Sequence, residues 1–450
     1  MVATLEKIRI LGVAGKFDIC ASSAVSRTNI KDEIVLGNNR IGNASSCGIC
    51  HSYTPDGRCV SLFKVLFTNH CIYHCKYCFT CVQKNKVMFT PEEYANVFMK
   101  LYEANYVEGL FLTSGIFRDA DYTTEQLLQV VRLLREHYHF RGYIHFKCLP
   151  GTDFSLLKEA AKYADRISVN VELPDKSYLS EVAEQKDFEN DIIKRQIWIR
   201  SLVQRKEEEK RKRINESSNF QIQTHKNSMK HMDQGDDDIG MGLHDMNFED
   251  QIISSGYKID AGQTTQFVLG AAGERDKDIL NRLFWEYKTV NLRRGYFSAF
   301  SPIPGTSLEN VPATPLSREN RLYQADWLYR VYKITSKEIL SIINESGNLP
   351  VGDPKLHLAF ESITRPIDVN KASYNELIRI PGIGPIAAKR ILNLQRAHVK
   401  IVSRKQLQNL GVVLKRAEPW LIVNESNQTS LDKFIIKTKS HLKSQEKFKN

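Results

Sequence analysis

The chain has 450 residues, of which 42% are hydrophobic, so it is long enough to form two or three domains with buried cores. No apolar run reaches the roughly 18 residues that a membrane-spanning helix requires, and Met1 to Cys20 lack the apolar core of a secretion signal. The net charge of +11 suits a polyanionic partner such as nucleic acid. We therefore expect no membrane contact and a reducing, cytoplasmic location, with the nucleus as the alternative.

The N-terminal segment, 1–60, begins with an amphipathic helix pattern around Ile8 and continues into a cysteine-rich loop. Nine cysteines, most of them clustered early in an intracellular chain, indicate metal ligands and not disulfides. A second cluster or a zinc ion is one interpretation of this loop, and ordinary buried thiols are the other, because the spacing fixes no fourth ligand. The candidate ligands of this second metal site are Cys20, Cys47, Cys50 and Cys59.

A cysteine-rich stretch, Cys-Ile-Tyr-His-Cys-Lys-Tyr-Cys, follows directly on the apolar run Ser61–Thr68. Its three cysteines, Cys71, Cys75 and Cys78, can each supply a thiolate to one iron of a [4Fe–4S] cube, which leaves the fourth iron open. A zinc ion is the alternative, although zinc sites usually show paired Cys-x2-Cys or Cys/His ligands. Cys81 lies outside the three-cysteine pattern. An open iron can bind the amino and carboxylate groups of a small ligand.

From Ser61 onward, β-branched and aromatic apolar runs alternate with helical patterns. The strand candidates are Ser61–Thr68, Gly109–Ser114, Gly142–Lys147, Ile167–Glu172, Thr264–Gly270 and Gly295–Phe300. Strands that alternate with helices form parallel sheets, because each return to the same edge needs a crossover. We therefore predict an α/β fold, a partial (β/α)6 barrel over 61–335. A polar stretch at 205–250 predicts a helix extension followed by a disordered insertion.

The helix candidates begin with recognisable signals. Thr90-Pro91-Glu92-Glu93 forms a capping box with proline at the first helical position, and Thr123 starts a second helix by the same logic. Further helices are predicted over Phe154–Tyr163, Lys176–Leu202, Arg275–Lys288, Leu316–Val331 and Ser336–Ile343.

Ligands of parallel α/β sheets bind at the carboxyl ends of the strands, where the three-cysteine loop also lies. Ser114 and Gly115 end the second strand, although Ser-Gly is also ordinary turn chemistry. Asn170 and Glu172 alternate with Ser168 onto one face of the fourth strand. Polar groups buried there without partners would be costly, so we expect them to line a wet cavity.

The chain changes character after the barrel, and 336–424 is predicted to be a small helical domain followed by a basic flexible tail at 425–450. Two short helices are joined by Pro-Gly-Ile-Gly, in which Gly382 and Gly384 let the backbone approach a phosphate. Lys389 and Arg390 add charge nearby. This pattern resembles a helix-hairpin-helix element, which grips nucleic acid through its backbone; a hairpin that only packs domains together is the alternative. Residues 411–416 resemble a degenerate second hairpin.

Together, the cluster loop, the Cys50-His51 and Arg58-Cys59 pairs and the terminal hairpin resemble the radical S-adenosylmethionine proteins associated with DNA modification or repair. The resemblance implies a [4Fe–4S] cluster and S-adenosylmethionine as cofactors. It implies a radical-SAM barrel that cleaves this ligand to a 5′-deoxyadenosyl radical. It places the methionine amino group near Ser114 and Gly115.

The resemblance also places the nucleoside near Asn170, Glu172 and the turn Gly270 to Glu274. A reducing electron donor such as a flavodoxin or ferredoxin is implied as a partner, and so is a uracil-DNA-glycosylase-like protein. DNA is the expected substrate. The alternatives are an enzyme that modifies RNA such as tRNA, and a nucleic-acid-binding module whose cluster is only structural.

Overall fold

The computed structural model describes residues 3–15, 49–53, 59–230 and 257–423. The chain divides into two compact units. The first unit comprises Met1–Val171, Ala183–Gln266 and Tyr287–Tyr296, and the second comprises Glu172–Val182, Phe267–Glu286 and Phe297–Asn450. Cys20 and Cys47, two of the candidates for a second metal site, and the predicted tail at 425–450 lie outside the described residues. The domain boundaries predicted from the sequence stay a prediction.

A seven-stranded sheet has its strands in chain order, β1 to β7. The strands are β1 Ile49–Tyr53, β2 Cys59–Phe63, β3 Gly109–Leu112, β4 Tyr143–Lys147, β5 Arg166–Ser168, β6 Gln263–Leu269 and β7 Arg294–Ala299. β1 pairs with β2 in antiparallel fashion, and the six strands from β2 onward are parallel and form a curled half-barrel. The predicted partial (β/α)6 barrel is confirmed. The antiparallel strand β1 was not predicted.

The helices that connect these strands follow their sequence signals closely. Their bounds are α1 Thr4–Gly15, α2 Phe79–Val82, α3 Pro91–Glu103, α4 Ala120–Arg132, α5 Phe154–Tyr163, α6 Lys176–Val182, α7 Lys194–Lys230 and α8 Asp276–Thr289. Thr90 caps α3 by accepting a hydrogen bond from the Glu93 N–H. The Glu93 carboxylate accepts hydrogen bonds from Thr4 and Lys7, which tie α1 to α3.

Two helix predictions were wrong in detail. α4 begins three residues before Thr123, because Asp119 is its N-cap, while the Thr123 hydroxyl donates a hydrogen bond to the Phe117 carbonyl. The predicted helix Lys176–Leu202 is interrupted after Val182, and a π-helical turn from Phe188 to Ile193 leads into α7. α7 continues to Lys230, so the predicted helix extension covers the first part of 205–250. Residues 231–256 lie outside the described residues.

The two faces of the sheet in the first unit differ in what they contact. Phe63 packs against Tyr94 and Phe98 of α3, with ring centroids 5.5 and 6.2 Å away. Alternate residues such as Leu62 therefore point to the opposite, inner face, where Leu62 contacts Phe111 of β3. The inner face is the one from which the half-barrel can meet a ligand.

The second unit contains the C-terminal helices. Their bounds are α9 Leu316–Arg330, α10 Ser336–Ser341, α11 Pro354–Ser362, α12 Tyr374–Arg379, α13 Pro385–Arg396, α14 Arg404–Asn409 and α15 Leu414–Ala417. The helices α11 to α15 share a core in which Trp420 is fully buried against Phe360. A parallel pair of two-residue strands, β8 Ile367–Asp368 and β9 Leu421–Ile422, joins the two ends of this core, so the predicted all-helical domain carries a small strand pair. Among the described helices, none is both long and apolar enough to span a membrane.

Candidate active site and nucleic-acid interface

The three-cysteine loop begins after β2 and is held by backbone hydrogen bonds to the segment that follows β3. The Phe67 N–H donates to the Thr113 carbonyl at 2.9 Å, the Gly115 N–H donates to the Thr68 carbonyl at 2.8 Å, and the Ile72 N–H donates to the Ile116 carbonyl at 2.8 Å. The loop and the predicted Ser114-Gly115 contact are therefore brought together in the first unit.

Asn69 closes the base of the loop. Its side-chain oxygen accepts from the Val87 N–H at 2.8 Å, and its amide nitrogen donates to the Asn85 carbonyl and the Gln83 side chain, each at 2.8 Å. Asn69 was not predicted as a site residue. Its signal was a polar residue directly after the apolar strand, in the position where the chain must turn.

The thiols occupy different environments within this loop. Cys75 is buried, whereas Cys71 and Cys78 are half-buried. The neighbouring Cys81 thiol and the Thr80 hydroxyl, whose oxygen lies 3.0 Å from the sulfur, lower the pKa of Cys78, and the same contact raises the pKa of Cys81. Cys78 is therefore disposed to be a thiolate, the form that binds iron.

A thiolate set for an iron–sulfur cube differs from a site for a single ion. Among the side chains that the structure describes, no three His, Cys, Asp or Glu are grouped so as to hold one metal ion. A cube does not require this, because each thiolate binds a different iron. The side chains of Cys50 and Cys59 are outside the description, so the second metal site stays a prediction.

Ser114 supplies an observation that fits the implied ligand. Its hydroxyl oxygen is buried and has no hydrogen-bond partner among the described residues. A buried hydroxyl without a partner costs free energy, about 1–3 kcal/mol, and such groups are common where a ligand completes the site. Gly115, beside it, packs so closely on the backbone of His70 and Thr68 that a Cβ atom would overlap the His70 carbonyl oxygen.

The polar residues at the end of β5 do not all meet a cavity. Ser168 is 4% exposed, and its hydroxyl lies 2.8 Å from Nε2 of His145, so it is satisfied within the sheet and the expected wet cavity does not include it. Asn170 is buried in the first unit.

Two of the predicted nucleoside contacts lie in the second unit. Glu172 has a φ of 63°, which is unusual for a non-glycine residue. The Val268 N–H donates to its carbonyl at 2.7 Å and so fixes the backbone there. Such local strain is often found at functional sites.

The turn after β6 is built around Glu274, which is 2% exposed. Its carboxylate accepts hydrogen bonds from the N–H groups of Gly270 and Ala272, and Arg318 donates to its carbonyl at 2.6 Å. Burial raises the pKa of Glu274, against the hydrogen bonds and Arg318, which lower it. The carboxylate shapes the turn, so a ligand here would meet the turn's backbone.

Gly270 needs to be glycine, since its φ is +86° and a Cβ atom would overlap the Thr314 hydroxyl. Arg318, which also donates to Asp276 at 2.7 Å, was missed by the sequence analysis. It lies 44 residues from Glu274 along the chain, and no spacing pattern connects the two.

The first hairpin, between α12 and α13, contains Gly382 and Gly384. It packs against the second hairpin, which includes residues 411–416. Gly382 has a φ of +88°, and its carbonyl accepts from the Val413 N–H at 2.9 Å. No side chain caps α13, so the N–H groups of its first turn can meet an external acceptor. Lys389 and Arg390 are both exposed on this helix, and Arg390 donates to the Leu410 carbonyl of the second hairpin at 3.3 Å.

A buried lysine donates a hydrogen bond to the backbone of the first hairpin. Lys355 is 6% exposed, donates to the Ile383 carbonyl at 2.6 Å, and lies 4.6 Å from the ring centroid of Tyr332. Burial lowers the pKa of Lys355 to about 7. The ammonium group therefore adds positive charge directly behind the hairpin when it is protonated.

Comparisons with known proteins identify one part of the chain. Residues 363–413 match the helix-hairpin-helix motif, which confirms the predicted hairpin. No curated protein matches the chain.

Solved structures that resemble this chain weakly include three proteins. The FeFe-hydrogenase maturase HydG from Carboxydothermus hydrogenoformans is 13% identical, over 66% of this chain and 54% of its own, with a TM-score of 0.38. Streptococcus suis SuiB bound to S-adenosylmethionine is 10% identical. The match covers 59% of this chain and 47% of SuiB, with a TM-score of 0.37. A radical SAM methyltransferase from Sphaerobacter thermophilus is 12% identical. The match covers 61% of this chain and 69% of the methyltransferase, with a TM-score of 0.37. The chain spans about half the length of the first two.

Replacing Gly115 by alanine should displace the cysteine loop. The new Cβ would overlap the His70 carbonyl oxygen, so we expect anaerobically reconstituted Gly115→Ala to hold less than about half the wild-type iron and sulfide, as overpacking forces the backbone to shift. Ser114→Ala is the matched control and should keep full iron content. Equal iron in wild type and Gly115→Ala would show that the close approach does not position the loop.

Lys355 should make stability depend on pH. Because its pKa is about 7 in the folded protein, the unfolded chain binds more protons from about pH 7 up to the ordinary lysine pKa, about 10.4. The free energy of unfolding should therefore rise with pH in this window, by at most about 1.4 kcal/mol per pH unit. In chemical denaturation at pH 7, 8 and 9, the free energy of unfolding should rise less steeply with pH for Lys355→Met than for the wild type. Parallel curves for the two proteins would contradict the assignment.

Proposed function

We propose that the protein is a radical S-adenosylmethionine enzyme that acts on nucleic acid, with DNA as the substrate. Cys71, Cys75 and Cys78 would hold a [4Fe–4S] cluster. The observation that carries this proposal is the loop with these thiols, fixed by backbone hydrogen bonds to the segment that bears the unpartnered Ser114 hydroxyl. When bound, the cluster supplies the electron that splits S-adenosylmethionine to a 5′-deoxyadenosyl radical.

The residues of the first unit then have distinct tasks. Asn69 and Gly115 fix the loop, and the neighbours of Cys78 lower the pKa of its thiol. The Ser114 hydroxyl is free to accept a hydrogen bond from the ligand's amino group or to donate one to its carboxylate. Asn170 is proposed to contact the ribose. Each of these groups binds or positions; none needs to change its protonation state.

In the second unit, the Gly270 to Glu274 turn is proposed to contact the adenine base through its backbone. Glu274 and Arg318 hold that backbone rigid, which limits the entropy lost on binding. Glu172 is proposed as a polar contact for the nucleoside, and its unusual φ supports a functional role for that position.

The helix-hairpin-helix part is proposed to grip the phosphate backbone. Gly384 leaves the first turn of α13 uncapped, and Lys389 and Arg390 are exposed on the same helix. Such contacts position a duplex without reading its sequence. An electron donor such as a flavodoxin or ferredoxin and a uracil-DNA-glycosylase-like protein remain proposed partners.

Cleavage of S-adenosylmethionine tests the enzyme proposal. The reconstituted wild type, reduced with dithionite, should release 5′-deoxyadenosine, detected by mass spectrometry, and Cys75→Ser should release none above background. Ser114→Ala should keep its cluster and bind S-adenosylmethionine roughly tenfold more weakly, the loss of about one hydrogen bond. A protein that holds the cluster in full but never forms 5′-deoxyadenosine would be a binding module with a structural cluster.

Salt-dependent binding tests the nucleic-acid proposal. Lys389→Met should weaken binding to duplex DNA to a similar degree for all sequences and reduce the slope of log affinity against log salt by about 1. Lys337→Met, an exposed residue of α10 in the same unit, is the control and should leave the slope unchanged. Fluorescence anisotropy with duplex DNA, single strands and tRNA gives the comparison. Tighter binding of tRNA than of DNA at every salt concentration would replace DNA with RNA as the substrate.

A further inference from the structure

The inner face of the sheet in the first unit carries a row of polar and aromatic side chains. Lys64 follows β2 directly, and its ammonium nitrogen lies 5.5 Å from the ring centroid of Phe111. Phe111 meets the His145 ring edge to face, with centroids 4.4 Å apart, and His145 contacts Ser168 at 2.8 Å. The row therefore runs across four neighbouring strands on the face opposite to α3.

Lys64 is an unusual member of this row because it is almost fully buried and has no ion-pair partner among the described residues. It is 3% exposed, and within the part of the chain that the structure describes it makes no hydrogen bond, only the contact between its ammonium nitrogen and the face of Phe111. An ammonium group that is largely shielded from water and has no counter-charge costs free energy. Such a group is expected where a ligand of opposite charge completes the environment.

The charge of the whole face points in the same direction. Within the first unit, the strand residues that the structure describes include no Asp or Glu. The basic residues that follow or belong to these strands are Lys64, Lys147, Arg166 and Arg294. The Nε atom of Arg166 is buried and has no hydrogen-bond partner among the described residues. Strands that carry several cations and no carboxylate of their own attract anions.

We propose that this inner face binds a phosphate group of the substrate and that Lys64 contacts it. The inference rests on the proposed function, since it assigns the substrate's chemistry at the same half-barrel. Arg166 lies in register with His145 on the next strand and adds positive potential. Phosphate is favoured over carboxylate because a dianion matches strands that carry more than one cation and no acidic residue of their own. A nucleotide unit of a nucleic acid carries this group, whereas most peptide substrates do not.

Anion binding by the full-length protein, prepared without cluster or S-adenosylmethionine, tests the proposal. Isothermal titration at constant ionic strength should show that the wild type binds inorganic phosphate and that Lys64→Met binds it at least about tenfold more weakly. Lys64→Arg should stay within about threefold of wild type, because the charge is kept. Lys100→Met, which removes an exposed charge from α3, is the matched control. Any phosphate bound at the C-terminal hairpins is the same in all four proteins and cancels in the comparison.

A structural role for Lys64 predicts a different pattern. Without added anion, Lys64→Met should unfold at the same temperature as wild type or higher, since a lysine that is largely shielded from water and has no ion-pair partner among the described residues has been removed. A phosphate affinity of Lys64→Met equal to that of Lys100→Met, acetate binding as tight as phosphate binding, or a fall of several degrees in the unfolding temperature would overturn the proposal. None of these readouts depends on S-adenosylmethionine cleavage, so either proposal can fail alone.

Discussion

The close backbone contact between the cysteine loop and the segment after β3 is the constraint on which the proposed chemistry depends. Three backbone hydrogen bonds join Phe67, Gly115 and Ile72 to the facing strand segments. A loop of eight residues with three thiols would otherwise sample many arrangements, because short loops without packed side chains retain conformational freedom. The hydrogen bonds, the missing Cβ of Gly115 and the closure by Asn69 reduce that freedom before any iron binds. The hydrogen bonds also join the segment that bears Ser114 to the loop that bears the thiols.

Buried polar groups in this protein fall into two classes. One class is satisfied and gives shape: Asn69 closes the cysteine loop, Glu274 closes the turn after β6, and Lys355 supports the first hairpin. The other class includes Ser114, whose hydroxyl is buried without a hydrogen-bond partner among the described residues, and Lys64, which is 3% exposed and has no ion-pair partner there. A folded protein keeps such groups at a cost in stability, and a ligand that completes the site is one explanation for them. Residues of the first class therefore hold the fold together, whereas residues of the second class are candidates for contact with a ligand.

The elements with strong local signals were predictable from the sequence. α5 was predicted to the residue, because Asp153 caps it and its apolar stripe is regular, and the order of six strands followed from their alternation with helices. β1 was missed, because the five residues Ile49–Tyr53 carry little apolar character and are defined by pairing with β2. The break between α6 and α7 was missed because residues 183–187, which precede the π-helical turn, contain no proline or glycine to mark it. The thiol ligands could be named from spacing, whereas Asn69, Arg318 and Lys355 act through tertiary contacts that no spacing records.

The central claim is that three protein thiolates leave one iron of the cluster open to S-adenosylmethionine. Mössbauer spectroscopy of the wild type reconstituted with ⁵⁷Fe, before and after addition of S-adenosylmethionine, tests this most directly. Our account predicts that one iron of the four shifts its spectrum when the ligand is added, while three remain unchanged. Four irons with the same spectrum before and after addition would contradict it, since every iron would then already have a fixed protein ligand.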